Sequence, residues 1–163
     1  MTEPASLLRI LELTRKLAGP LELNELLGEI IDAGREVLEA DRGSVFLYDQ
    51  ERRELFITVA HGVKELRFSV DKGIAGQSAR TREIINVPDC YADPRFNRDA
   101  DLRTGYRTNC LIAVPLIGLE DKLVGVMQLL NPKKGHFDNE DENLCEVLAS
   151  QAAVVIQRAR LLD

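Results

Sequence analysis

Two stretches in the second half of the chain, Cys110–Ile117 and Leu123–Asn131, are apolar at nearly every position, with only Gly118 to Lys122 between them. A strand with one wet face alternates apolar and polar residues, whereas one that barely alternates is covered on both sides. So short a turn leaves no room for a crossover, which makes the two strands antiparallel neighbours. The rest of the chain must therefore cover both faces of this pair.

Helical patterns supply part of that cover. Leu7, Ile10, Leu11, Thr14, Leu17 and Ala18 recur at spacings of three and four, so residues 5–18 read as a helix with one apolar stripe, ended by Gly19-Pro20. A second amphipathic helix follows over Leu23–Leu38. From Gly43 the period becomes two. Ser44–Tyr48 reads as a strand, Asp49–Arg53 as a turn, Glu54–Ala60 as the hairpin partner and Leu66–Val70 as a third strand. Glu83–Val87 is a short apolar piece stopped by Pro88. Asp138 reads as the N-cap of a last helix, with Asp141 and Glu142 favourable in its first turn. Along that helix Leu148, Val155 and Leu162 are spaced as heptads, as are Val147, Val154 and Leu161. The expectation is an α+β domain, a central antiparallel sheet flanked by helices, whose N- and C-terminal helices form a dimer bundle. Residues 1–20 then serve as a linker and dimerisation helix, and 21–163 as the domain, ending in a signalling helix.

A candidate site lies at Asp71-Lys72-Gly73-Ile74-Ala75-Gly76. Glycines permit a tight turn and close approach of a ligand to the main chain. A helix starting there, read over Gln77–Arg82, presents unpaired N–H groups suited to a phosphate or carboxylate. Downstream, Asp89 to Asn109 is long, polar and aperiodic, but Tyr91, Phe96 and Tyr106 give it anchors. Such loops inside domains are commonly lids.

Bulk properties narrow the functional classes. A formal charge of −6 over 163 residues argues against broad nucleic-acid binding and against an anionic membrane surface. Three widely spaced cysteines, Cys90, Cys110 and Cys145, fit reduced thiols in the cytoplasm better than a disulfide framework. The start lacks the basic and apolar regions of a signal peptide, and the longest apolar run is too short to span a bilayer. His61 and His136 lack ligand spacing, so no metal is expected.

The order of these pieces resembles a GAF domain, the ligand-sensing module of many signalling proteins. The residues that carry the resemblance include Ser44-Val45-Phe46-Leu47, Lys72-Gly73-Ile74-Ala75-Gly76, Ile85-Asn86-Val87-Pro88-Asp89, Asp93-Pro94-Arg95-Phe96, Thr104-Gly105-Tyr106-Arg107-Thr108 and Val124–Asn131. Within the family it is most similar to the type that binds cyclic nucleotides in phosphodiesterases and some bacterial adenylyl cyclases. That type carries a dispersed Asn-Lys-Phe-Asp-Glu signature, matched here by Asn131, Phe137, Asp141 and Glu142. Either Lys133 or Lys134 stands for its lysine, and Lys133, the first after Pro132, is taken here. The resemblance implies a lysine–aspartate ion pair holding lid and sheet together.

It also implies a ligand, cAMP or cGMP. Ile74 and Ala75 would offer N–H groups to the cyclic phosphate, Asp101 would meet the purine, and Thr104 and Thr108 would close the lid. Ser44 and Gln128 would line the base end, the amide being able to donate and accept. Ala60-His61 falls where some relatives carry an aromatic–acid pair that reads the base, which adds His61 to the set. Asn97 replaces an aromatic residue. Read without the resemblance, these polar residues are ordinary loop and strand groups; Arg98, Arg103 and Arg107 read as a solvated basic face, from which one could meet a phosphate by a bidentate contact.

The expectation is a non-catalytic homodimeric sensor of a small anionic ligand, joined to an output domain in a longer chain. The alternative is a degenerate pocket in a domain that only dimerises. A methionine sulfoxide reductase would need a key thiol at the Gly-x-x-Gly turn, where Ala75 stands, and a bilin photoreceptor a Cys-His pair, whereas Leu111 follows Cys110.

Overall fold

In the computed structural model, which describes residues 4–17, 22–60 and 66–162, the two apolar stretches form β5 (Leu111–Ile117) and β6 (Leu123–Pro132). They pair antiparallel, with Leu111 opposite Leu130 and Ala113 opposite Gln128. On the other side of β6 lies β1 (Ala40–Asp49), also antiparallel, with Ser44 opposite Gln128. β2 (Glu54–Ala60) and β3 (Arg67–Ser69) extend the sheet beyond β1, and β4 (Ile85–Val87) closes the far edge against β5. The strand order is β3-β2-β1-β6-β5-β4, so β5 and β6 are interior, as their composition requires.

Alternation along the strands feeds two cores. Val45, Ile112 and Leu129 join Leu27, Ile30 and Leu148 beneath α1 (Pro4–Leu17), α2 (Leu23–Leu38) and α5 (Asn139–Leu162). Phe46, Ala113 and Val126 face the other way, toward α3 (Gly73–Thr81) and the segment that follows β4. That segment carries a short 3-10 turn at Cys90–Ala92 and the helix α4 (Asp99–Thr104).

Several elements depart from the sequence reading. α3 begins at Gly73 rather than Gln77, because Gly73 takes a positive φ of 75° and turns the extended chain at Lys72 straight into the helix. Gly76 has a different reason to be glycine. A Cβ there would lie 2.4 Å from the carbonyl oxygen of Val70, so close packing of α3 on the β3–α3 connection demands it. The aperiodic lid does contain a helix, α4, too short to show a period. On α1 the expected single stripe divides: Ile10 and Leu13 are buried, while Leu7, Leu8 and Leu11 are exposed. The heptad rows of α5 divide likewise, with Leu148 and Val155 in the core and Val147 and Val154 about half exposed. Ala18 and the side chains of Leu17, Leu161 and Leu162 lie outside the described residues. No helix among the described residues is long and apolar enough to cross a membrane.

Candidate functional site

α3, the lid and one face of the sheet enclose a cavity of about 390 Å³. Its floor comes from strand residues that alternate onto this face: Ser44 and Phe46 of β1, Leu111 of β5, and Gln128 and Leu130 of β6. Ile57, Phe68 and Ser69 form one wall, and Lys72, Gly73, Ile74 and Ala75 at the start of α3 another. The roof is the lid, through Phe96, Asn97, Ala100, Asp101, Thr104 and Thr108. Seven residues singled out from sequence thus border one space: Ser44, Ile74, Ala75, Asp101, Thr104, Thr108 and Gln128. The eighth, His61, lies outside the described residues.

The mouth of α3 is open to this space. Lys72 occupies the N-cap position with extended backbone, and no side chain caps the helix. The first-turn N–H groups of an α-helix have no intrahelical acceptor, and here two of the residues that carry them, Ile74 and Ala75, are cavity walls. Among the described residues, Lys72 and Arg103 border the cavity without an ion pair. Arg67, by contrast, is held by Asp49 at 3.1 Å and Glu54 at 3.0 Å, which raises its pKa above the ordinary arginine value. The anion-attracting groups at the α3 end are therefore the helix amides and Lys72. Across the floor, Ser44 and Gln128 sit side by side in register, and the Gln128 amide makes no hydrogen bond among the described residues.

The lid is pinned from inside. Asp101, nearly buried, accepts from the Tyr91 hydroxyl at 2.7 Å and from both the amide and the hydroxyl of Thr108 at 2.8 Å. Its carboxylate is thus committed to the lid itself, a role the sequence does not announce. The same bond pushes the Tyr91 hydroxyl pKa up. Arg107 and Arg98 stack over the Tyr91 ring at 4.1 and 4.7 Å, so two of the four lid arginines serve the aromatic anchor. Thr104 is exposed and donates to the Ala100 carbonyl at 2.9 Å, as a helix-terminal threonine does.

Asn131 fastens the lid to the sheet. Its amide nitrogen donates to the Tyr106 hydroxyl at 2.8 Å and to the Arg107 carbonyl at 2.9 Å. Its oxygen accepts from the amides of Asn109 at 2.7 Å and Cys110 at 3.2 Å. Tyr106 in turn donates to Asp41, beneath Arg42 stacked at 3.7 Å, and burial with that carboxylate pushes its pKa up to about 12.

The ion pair with Asp141 is made by Lys134, at 2.7 Å, and not by Lys133. Pro132 to Gly135 form a turn, with Gly135 N–H donating to the Pro132 carbonyl, and this sends Lys134 back toward the start of α5. There it also meets Asp138 at 2.8 Å. Asp138 and Asp141 each accept the other's backbone N–H at 2.9 Å, a reciprocal cap. The pair therefore ties the β6–α5 connection to α5, while Asn131 holds the lid. Phe137 is buried in the core under α2 and α5, and Glu142 accepts from Asn86 of β4 at 3.2 Å.

Arg103, one of the three arginines from which a phosphate contact was open, also borders the cavity, as do Arg42 and Lys72, although the sequence reading gave neither of these two a place in the ligand set. Arg42 was accessible to it, since Arg42, Ser44 and Phe46 share parity along β1.

The family model for the GAF domain matches residues 22–156. Over 172 residues the chain is 31% identical to the cGMP-specific 3',5'-cyclic phosphodiesterase of Drosophila virilis, covering 94% of this chain and 19% of the relative. It is 29% identical to the probable 3',5'-cyclic phosphodiesterase pde-5 of Caenorhabditis elegans, covering 88% and 21%. The chain thus spans about a fifth of the length of these curated relatives. Among solved structures it is similar to the GAF domain of a phosphoenolpyruvate-protein phosphotransferase from Coxiella burnetii, with TM-score 0.86, 23% identity and coverage of 96% and 95%. It is also similar to a free methionine-R-sulfoxide reductase from Neisseria meningitidis, with TM-score 0.81, 17% identity and coverage of 100% and 96%.

Proposed function

We propose, for a chain that belongs to the GAF domain family, that the lidded cavity is a sensory site for a 3',5'-cyclic nucleotide, cAMP or cGMP. The observation that carries this is the uncapped mouth of α3 opening into the cavity, where main-chain amides and Lys72 await a single negative group. The cavity falls in the size range of small-molecule sites, about 300–1,000 Å³. The floor pair Ser44 and Gln128 lies opposite the lid and offers a hydroxyl and a rotatable amide to a base edge. The names of the curated relatives, enzymes that act on cyclic nucleotides, support this class of ligand.

The site is non-catalytic. All three cysteines are buried, none borders the cavity, and desolvation pushes the Cys90 thiol up to about 12 and raises those of Cys110 and Cys145. A reductase chemistry like that named for the Neisseria protein lacks an accessible thiolate here. The domain works as a homodimer through α1 and α5 and passes the ligand signal to an output domain in a longer chain.

The test is thermal stability against a panel of cAMP, cGMP and the matching 5'-monophosphates. Ligand at 100 times Kd stabilises the native state by about 2.7 kcal/mol. A cyclic nucleotide is expected to raise Tm where its linear counterpart does not, and Gln128→Leu to change the order of preference between the two purines. No shift with either cyclic nucleotide at millimolar concentration overturns the ligand assignment.

A further inference from the structure

Several cations of this acidic chain lie against carboxylates, as Arg67, Arg95 and Lys134 do. A second cavity, of about 420 Å³, breaks that pattern. It lies where the C-terminal turn of α3 meets the β1–β2 and β5–β6 turns. Four cationic side chains border it, Arg53, Arg80, Arg82 and Lys122, and among the described residues no carboxylate does. Arg80 donates to the carbonyl of Val70 and Arg82 to that of Asp121, neutral acceptors that orient the guanidinium groups without cancelling their charge. Arg53 has a single partner in Asp71 at 3.5 Å, with both side chains more than half exposed, and such pairs are weak. Lys122 has no side-chain partner among the described residues.

Cations near a helix C-terminus are favourable on their own account, and that covers Arg80 and Arg82. It does not cover Arg53 and Lys122, which arrive from separate turns into the same space. Four like charges gathered in one concavity repel one another unless a counter-charge joins them. We propose that this cavity is a second ligand site, distinct from the one beneath the lid, and that it takes a multiply charged oxyanion of the polyphosphate class. Arginine forks and a lysine suit that chemistry, the former by paired N–H contacts and the latter as a point charge. Tyr48, Gln50, Val70, Ala79 and Leu123 complete the lining beside the cations. Arg160 of α5 donates to the Tyr48 carbonyl at 3.2 Å, which links the rim to the last turns of that helix.

The experiment is calorimetric titration of the full chain with tripolyphosphate at low salt. The comparisons are an Arg53→Gln/Lys122→Gln double variant, which leaves both carbonyl-anchored arginines in place, and Arg103→Gln in the lidded cavity. Wild type and Arg103→Gln are expected to bind alike, and the double variant about tenfold or more weakly with unchanged circular dichroism. The cyclic-nucleotide response is expected to survive in the double variant, so failure here is separable from failure of the sensory reading. Absence of binding by wild type at millimolar tripolyphosphate overturns the proposal. So do equal binding of the double variant, loss of binding in Arg103→Gln, equal affinity for sulfate, or preference for a glutamate-rich peptide.

Discussion

Thr108 gives both of its donors to Asp101, the amide to Oδ2 and the hydroxyl to Oδ1, each at 2.8 Å. With the Tyr91 hydroxyl on the same carboxylate, one nearly buried side chain closes the lid upon itself. Asp101→Ala strands three donors, each costing on the order of 1–3 kcal/mol when unsatisfied and buried. Partial rescue by water brings the expected loss to about 2–4 kcal/mol, or a fall in Tm of roughly 5–12 °C. Limited proteolysis is expected to cut the variant between 93 and 109 first. A variant as stable and as protected as wild type would remove the staple from the account.

The cap at the start of α5 gives a pH dependence whose sign is fixed. Lys134, helped by the Asp141 amide, holds the Asp138 carboxyl at about 2, below its ordinary 3.8. The Lys134 ammonium is raised from 10.5 to about 12, chiefly by Asp138 and then Asp141. A lowered carboxyl stabilises above its unfolded value and loses that contribution as pH falls toward 2. A raised ammonium stabilises below 10.5 and loses its contribution as pH climbs through 12. The cap is thus intact between roughly pH 4 and 10.5. Both groups are well solvated, so amide exchange in the first turn of α5 should quicken at either extreme before the domain unfolds. Lys134→Gln should mimic this at neutral pH and Lys133→Gln should not.

Thiol chemistry checks the non-catalytic reading. With Cys90, Cys110 and Cys145 all buried and their pKa values raised, an aromatic disulfide reagent at pH 8 should label none of them in the native protein and all three in denaturant. Rapid labelling of one thiol in the folded state would reopen a redox role.

At Gly76 the expected change is purely steric. Gly76→Ala puts a Cβ 2.4 Å from the Val70 oxygen and within 3.2 Å of its Cα, contacts with backbone that cannot swing aside. A loss of about 1–3 kcal/mol follows, measurable by urea unfolding. Its effect on ligand binding should be larger than that of a surface change of equal stability cost, since α3 must move at the end that faces the cavity.

For the proposed homodimer, the candidate contact groups are apolar residues left outside either core: Leu7, Leu8 and Leu11 on α1 and Val147 and Val154 on α5. The two helices touch, since Gln151 of α5 donates to Thr14 of α1 at 2.9 Å. Leu8→Glu with Val154→Glu should yield a monomer by sedimentation velocity, with the fold intact. Wild type sedimenting as a monomer at high concentration would contradict the assembly.

Most of the architecture was legible because periodicity reports burial directly. Leu111–Ile117 could only be an interior strand, and Asp138 could be read as a cap from its position before Asp141 and Glu142. What stayed hidden depended on angles and reach. Gly73 opens a helix although glycine is a poor helix former, because the needed φ is positive. The choice of Lys134 over Lys133 follows from the Pro132–Gly135 turn, which residue types alone do not orient. The resemblance implied a purine contact for Asp101, whereas its bonds to Tyr91 and Thr108 leave no trace in the local pattern. The cavity's membership was legible through parity and motif, its internal bonding was not.

The four bonds of Asn131 have a mechanical meaning. They nail down the downstream hem of the lid, at Tyr106 to Cys110, while Cys90 N–H on the Asn109 carbonyl secures the upstream edge to the same point. The tongue between these fixings, residues 91–105, is fastened by the bonds of Asp101 to Tyr91 and Thr108. In the proposed sensory reading a guest enters by lifting this flap, and the entropy surrendered on closing stays small because the hinge was assembled when the chain first folded.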